Sequence, residues 1–182
     1  MSHKSTQNTI RRDLDTTFGV LDCWFDCPKE LLRFVPDEGW SIPEVLEHIT
    51  LTNRFLLLTL DKKTKTALRR ADRGDAIPDE PSNLDVLHTI GIRGSFDWER
   101  PDHMVPTGAD SLSEVRERLK QQRTQCPEIL DLLDNGVGKL VMVSMSVNDL
   151  GKIDLNQWLY FIVCHAKRHL DQLESIRTLA KL

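Results

Sequence analysis

Apolar residues recur every three or four positions along most of the chain, the period of helices that bury one face. In the first such stretch Ile10, Leu14, Thr17, Leu21 and Trp24 share a stripe that Phe18 and Phe25 widen. Pro28 predicts its end, or a short further turn through Lys29, Glu30, Leu31 and Leu32, before a loop at Pro36, Asp37, Glu38 and Gly39. A second helix opens at Ser41, a good N-cap, with Glu44 three residues on to complete a capping box and Pro43 in the tolerant first turn. His48, Leu51, Phe55 and Leu58 then follow at spacings of three and four, so His48 is expected to face inward, on a helix that runs to about Arg70.

Residues 71–110 break the pattern with Pro78, Pro81, Pro101 and Pro106, and only Asn83–Ile92 reads as a short helix. A connection of this length is uncommon in a compact domain unless it has a function, such as a lid. Asp110 or Ser111 caps a third helix, whose stripe is Leu112, Val115, Leu119, Gln122, Cys126, Ile129 and Leu133. Pro127 is expected to kink or interrupt it, and Gly136 with Gly138 to stop it. The run Val141–Met145 is ambiguous between helix and extended chain. A last helix starts near Asp154 and carries Trp158, Ile162, His165, His169, Gln172 and Ile176 on one stripe. Four amphipathic helices with one long connection between the second and third predict an all-α four-helix bundle, with residues 1–182 as a single domain.

Composition narrows the function. The chain has 182 residues, 40% of them apolar and 29% charged, and a net charge of −4, which suits a globular domain and disfavours nonspecific nucleic-acid binding. The basic run Lys62, Lys63, Lys65, Arg69 and Arg70 reads as a solvated helix face. No apolar run marks a signal peptide in Met1–Gln7, and no window approaches the ~18 apolar residues of a membrane span. The expected compartment is the cytoplasm, where thiols stay reduced. Cys23 and Cys27, four apart beside Trp24 and Phe25, read as small buried packing residues rather than as a metal or redox pair.

The candidate chemistry lies in three histidines. His165 and His169 are at i and i+4, which puts both imidazoles on one helix face about a turn apart. Neutral imidazole is the commonest side-chain ligand for divalent transition metals. His48 from a facing helix would supply a third nitrogen and leave a coordination position open, as catalytic sites require. The competing reading is that these are hydrogen-bonded core histidines. Glu44 could serve as a general base near His48, but capping is the better reading of it. Gln172, on the stripe, and Asp171 are candidates to orient a ligand imidazole. His88 and His103, in the long connection, either line the mouth of the site or are simply solvated.

At these residues the chain resembles the DinB-like superfamily of bacterial four-helix bundles. The matching text runs from Trp40 and Ser41 through Glu47, His48 and Ile49, then Leu155, Asn156, Gln157 and Trp158, and on to His165, Ala166, Lys167, Arg168, His169, Leu170, Asp171, Gln172 and Leu173. Such proteins show a Trp-Ser helix start, a helix with one His, and a final helix with His-x3-His followed by Gln. The resemblance implies that His48, His165 and His169 ligate one divalent ion, nickel or zinc, and that the chain pairs as a homodimer. Some such proteins are thiol S-transferases that use a low-molecular-weight thiol such as bacillithiol, mycothiol or glutathione, and others have no known activity; the open position on the ion would equally suit a metal-dependent hydrolase. The alternative is a noncatalytic module in which the ion staples two helices. Residues 71–110 and 139–150 fall outside the shared motif. DNA repair, suggested by the family's name alone, is disfavoured by the acidic balance and the lack of a basic, aromatic-rich stripe.

Overall fold

The structure, a computed structural model, describes residues 2–97 and 101–181. It is all-α apart from one small antiparallel strand pair. Helix α1 spans His3–Cys23 and a one-turn-scale α2 spans Lys29–Arg33. The longest, α3, runs Ile42–Asp72; α4 covers Leu112–Leu132. Strands β1 (Met142–Met145) and β2 (Gly151–Asp154) pair antiparallel, Met142 opposite Asp154, and lead straight into α5, Leu155–Leu179. In the bundle α1 packs against α4 and α5, and α3 packs against the same two, so α1 and α3 lie on a diagonal.

The caps follow the sequence. Ser41, Ser111 and Asp154 each form a capping box, with Glu44, Glu114 and Gln157 at the third helical position. These pairs satisfy backbone N–H groups that a helix start otherwise leaves open. The core is built from Ile10, Phe18 and Leu21 of α1, Ile42, Leu46, Ile49 and Leu60 of α3, Leu130 of α4, and Leu159, Phe161 and Ile162 of α5. Polar ties cross it. Trp158 donates its indole N–H to the Leu56 carbonyl at 3.0 Å, locking α5 to α3. Gln122 of α4, 5% exposed, donates to the Thr50 carbonyl at 2.8 Å and accepts from Asn53 Nδ2 at 3.1 Å, locking α4 to α3. Outside, Arg116 of α4 reaches back to Asp22 at 2.8 Å and Asp26 at 2.7 Å, closing α4 on the end of α1.

Several expectations need correction. On α3 the stripe runs through Ile42, Val45, Ile49, Asn53, Leu56, Leu60, Thr64 and Ala67; Phe55 is 36% and Leu58 61% exposed. The polar members Asn53 and Thr64 hid that stripe, and His48 is buried because the long connection covers its side of the helix. Pro127 does not interrupt α4, which runs on through it to Leu132 with Cys126, Ile129 and Leu130 around it buried. The segment at 83–92 is a 3-10 helix, Leu84–Gly91, that packs on α5 through Leu87 and Ile90. The ambiguous run is extended, as β1, but its partner β2 carried no strand signal. Cys23 is exposed and Cys27 half-buried, so the packing role falls instead to Cys126 and Cys164. In the basic run Lys62, Lys65 and Arg69 are exposed, whereas Arg70 binds Asp75 at 2.6 Å and the Leu140 carbonyl. Chain reversal after α4 requires Gly136, at φ +84°, where a Cβ would sit 2.7 Å from Ile77. Among the described residues no helix is long and apolar enough to cross a membrane.

Candidate metal centre

His48 projects from the second turn of α3, and His165 and His169 from the middle of α5, the two helices that Trp158 holds together. Their ligand-capable atoms all lie within 4.8 Å of one another. The ring centroids are 5.2 Å apart for His48 and His165, 4.8 Å for His48 and His169, and 4.5 Å for His165 and His169. The three are 5%, 2% and 9% exposed in chain order. The i, i+4 spacing and the facing third histidine therefore meet as the sequence predicts.

Each ring is aimed by a neighbour. His48 donates Nδ1–H to the Met104 carbonyl at 2.6 Å and packs on Trp40 with centroids 4.7 Å apart. His169 donates Nδ1–H to the Gln172 amide oxygen at 2.8 Å, so Gln172 fills the orienting role expected of it, while Asp171 is exposed. Both hydrogen bonds put the proton on Nδ1 and the lone pair on Nε2. His165 Nε2 lies 3.1 Å from His169 Nε2. Burial pushes His165 well below the ordinary imidazole range, and His169 down to about 3, with the charges of neighbouring rings and of Arg168 adding to the effect. Both rings are thus neutral at pH 7, the state that binds metals.

The donor set fits a divalent transition ion. Imidazole nitrogen suits zinc, nickel and copper. Two nitrogens at the usual bond length around a tetrahedral ion stand about 3.3 Å apart, close to the spacing of the α5 pair. The clustered histidines are compatible with a divalent metal site; they do not select the metal.

Beside the trio lies a cavity of about 430 Å³, lined also by Trp40, Thr52, Phe96, Asp97, Met104 and Gln172, with Arg93 and Arg168. The long connection supplies one whole wall of it. Glu47, next to His48 and 3% exposed, pins that wall by accepting from Thr107 N and Oγ1 and from Gly108 N, each at 3.0 Å. The other loop histidines do not reach the cavity: His88 is exposed, and His103 is exposed against Phe55 with centroids 4.0 Å apart. Glu44 is engaged at the cap, where it accepts from Ser41 N at 2.8 Å and Oγ at 2.6 Å. Sequence reasoning missed the Met104 carbonyl, Glu47 and the two arginines. A backbone carbonyl leaves no mark in a sequence, and an acid or arginine, on a helix or in a connection, is ordinarily solvated.

Neither the comparison with curated proteins nor that with solved structures gave a match. The sequence profile of the DinB superfamily, in contrast, matches residues 10–173, from the first core residue of α1 to Leu173 just beyond the paired histidines. With that span, the helical architecture and the histidine cluster in agreement, the chain belongs to the DinB superfamily.

Proposed function

We propose that His48, His165 and His169 hold one divalent ion, nickel or zinc, and that the protein is a metal-dependent S-transferase for a low-molecular-weight thiol. The observation that carries this reading is the position of the trio on the wall of an open cavity of about 430 Å³, rather than inside a closed core. A structural metal site is closed by four protein ligands, whereas a catalytic one keeps a position for substrate. Among the described residues the cluster offers three.

A divalent ion bound by three neutral imidazoles supplies acidification of a thiol or water in its remaining position. The protein's own residues do the rest. Met104 and Gln172 fix the imidazole tautomers. Trp40, Phe96 and Met104 give the cavity apolar walls for the body of an electrophile, and Asp97 places a carboxylate in the lining.

The test is conjugation of bacillithiol or glutathione to a halogenated aromatic by metal-loaded protein, with His165→Ala as control. Turnover above background that the variant loses supports transfer. Ester hydrolysis without thiol transfer moves the reading to a hydrolase. The bridging of α3 and α5 by the trio supports a second reading, an ion that staples the two helices without catalysis. Absence of turnover together with a metal spectrum of four protein ligands selects it.

A further inference from the structure

Thr52 stands one turn beyond His48 on α3 and lines the cavity that holds the trio. Residues four apart share a helix face, and side chains lean toward the helix N-terminus, so Thr52 leans over the turn that carries His48. It is 3% exposed, and its hydroxyl oxygen is buried with no hydrogen-bond partner in the protein. A helical threonine ordinarily has a carbonyl of the preceding turn within reach. Thr16, Thr66, Thr124 and Thr178 each donate to the carbonyl four residues back, at distances of 2.9, 3.3, 3.2 and 2.9 Å. Thr50, two residues before Thr52, donates to the Glu47 carbonyl at 2.9 Å. Thr52 makes no such bond to the carbonyl of His48. Thr6 and Thr64 are orphaned as well, but of the three only Thr52 lines the cavity.

We propose that the Thr52 hydroxyl is a substrate contact, which donates to the anionic atom that fills the position left on the ion by the three imidazoles. The inference rests on the metal reading and not on thiol transfer. A buried hydroxyl without an acceptor is destabilising, and a ligand atom at the trio offsets that cost only when it is bound. The histidines offer no acceptor in its place, since His48 and His169 commit Nδ1–H to Met104 and Gln172 and leave Nε2 for the ion. A hydroxyl has one proton to give. Given to an anion in a partly dry cavity, it makes a stronger bond than the same pair makes in water. Its seat on a long helix, one turn from a ligand imidazole, fixes the direction in which that atom is held.

The test loads the full chain with cobalt, a visible substitute for zinc, and titrates it with azide and with 2-mercaptoethanol, read from the cobalt absorption bands. Thr52→Val keeps the shape and removes the hydroxyl; Thr52→Ser keeps the hydroxyl. Cobalt content is expected to be equal in all three proteins, because Thr52 is outside the ligand cluster. The valine variant is expected to bind the probes about tenfold more weakly, the effect of one charge-assisted hydrogen bond, and the serine variant to bind them as the unaltered chain does. A loss confined to one probe still supports the contact, and tells a nitrogen acceptor from sulfur. Urea unfolding of the metal-free proteins adds a readout that needs no ion. The valine variant is expected to unfold at the same or a higher urea concentration, because no bond within the protein is lost. Unchanged affinity for both probes, equal weakening in the valine and serine variants, or a lower urea midpoint for the valine variant overturns the contact. A chain that takes up no cobalt overturns the metal reading and this contact with it, whereas cobalt uptake without a Thr52 effect overturns the contact alone.

Discussion

Gln172 accepts one hydrogen bond from His169, and that bond decides which ring nitrogen carries the lone pair. An orienting partner of this kind is worth 10–100-fold in metal affinity, roughly, where it has been removed. Gln172→Ala is therefore expected to weaken the ion by about that factor, and Gln172→Glu, which keeps an acceptor, to retain most of the affinity; competition with a chromogenic chelator measures both. At this scale the sequence was legible where side chains act. The i, i+4 pair and the glutamine sit on the periodic stripe of α5, and they meet His48 in the fold. It was opaque where the backbone acts: the Met104 carbonyl that aims His48 lies 56 residues away in a segment with no periodicity.

Between elements, the bundle relies on buried polar ties as well as apolar contact. Gln122 satisfies both the Thr50 carbonyl and Asn53 from across the α3–α4 seam. Gln122→Leu leaves Asn53 Nδ2 buried without that acceptor, and is expected to cost about 1–3 kcal/mol in urea unfolding. Metal content should not change, because Gln122 is not among the residues beside the trio. The same feature explains what the sequence misplaced on α3. Asn53 and Thr64 occupy core positions with polar side chains, so the apolar period shifted in appearance to Leu51, Phe55 and Leu58. The helices and their caps were readable because Ser, Asp, Glu and Gln at the starts act locally. Strand β2 was not, because its four residues take their conformation from pairing with β1.

For the molecule as a whole, two neutral buried imidazoles make stability depend on pH. In the unfolded chain a histidine takes up a proton near pH ~6.5. In the folded protein His165 resists protonation, and His169 does so down to about pH 3. As pH falls through that window the unfolded state binds more protons than the folded one, so stability is lost. Metal-free protein should therefore show a level unfolding free energy between about pH 7 and 8 and a decline from about pH 6.5 downward. Replacing both His165 and His169 with Gln flattens the decline; denaturant titrations across pH read it directly. A decline of the same depth in the double variant assigns the acid sensitivity to other groups. The long connection belongs to this scale too. Its proline spacing showed that it was no helix, but only the assembled fold shows that it forms a wall of the cavity, since Glu47, Thr107 and Gly108 are tied across 60 or more residues.

The central claim is that three histidines from two helices hold one ion. It is tested most directly by calorimetric titration of chelated protein with zinc and with nickel, for the unaltered chain and for His48→Ala, His165→Ala and His169→Ala. The account predicts saturation at one ion per chain, and a large loss of affinity in every variant while far-ultraviolet circular dichroism shows the helices intact. No binding by the unaltered chain, or binding that all three variants keep, would contradict it.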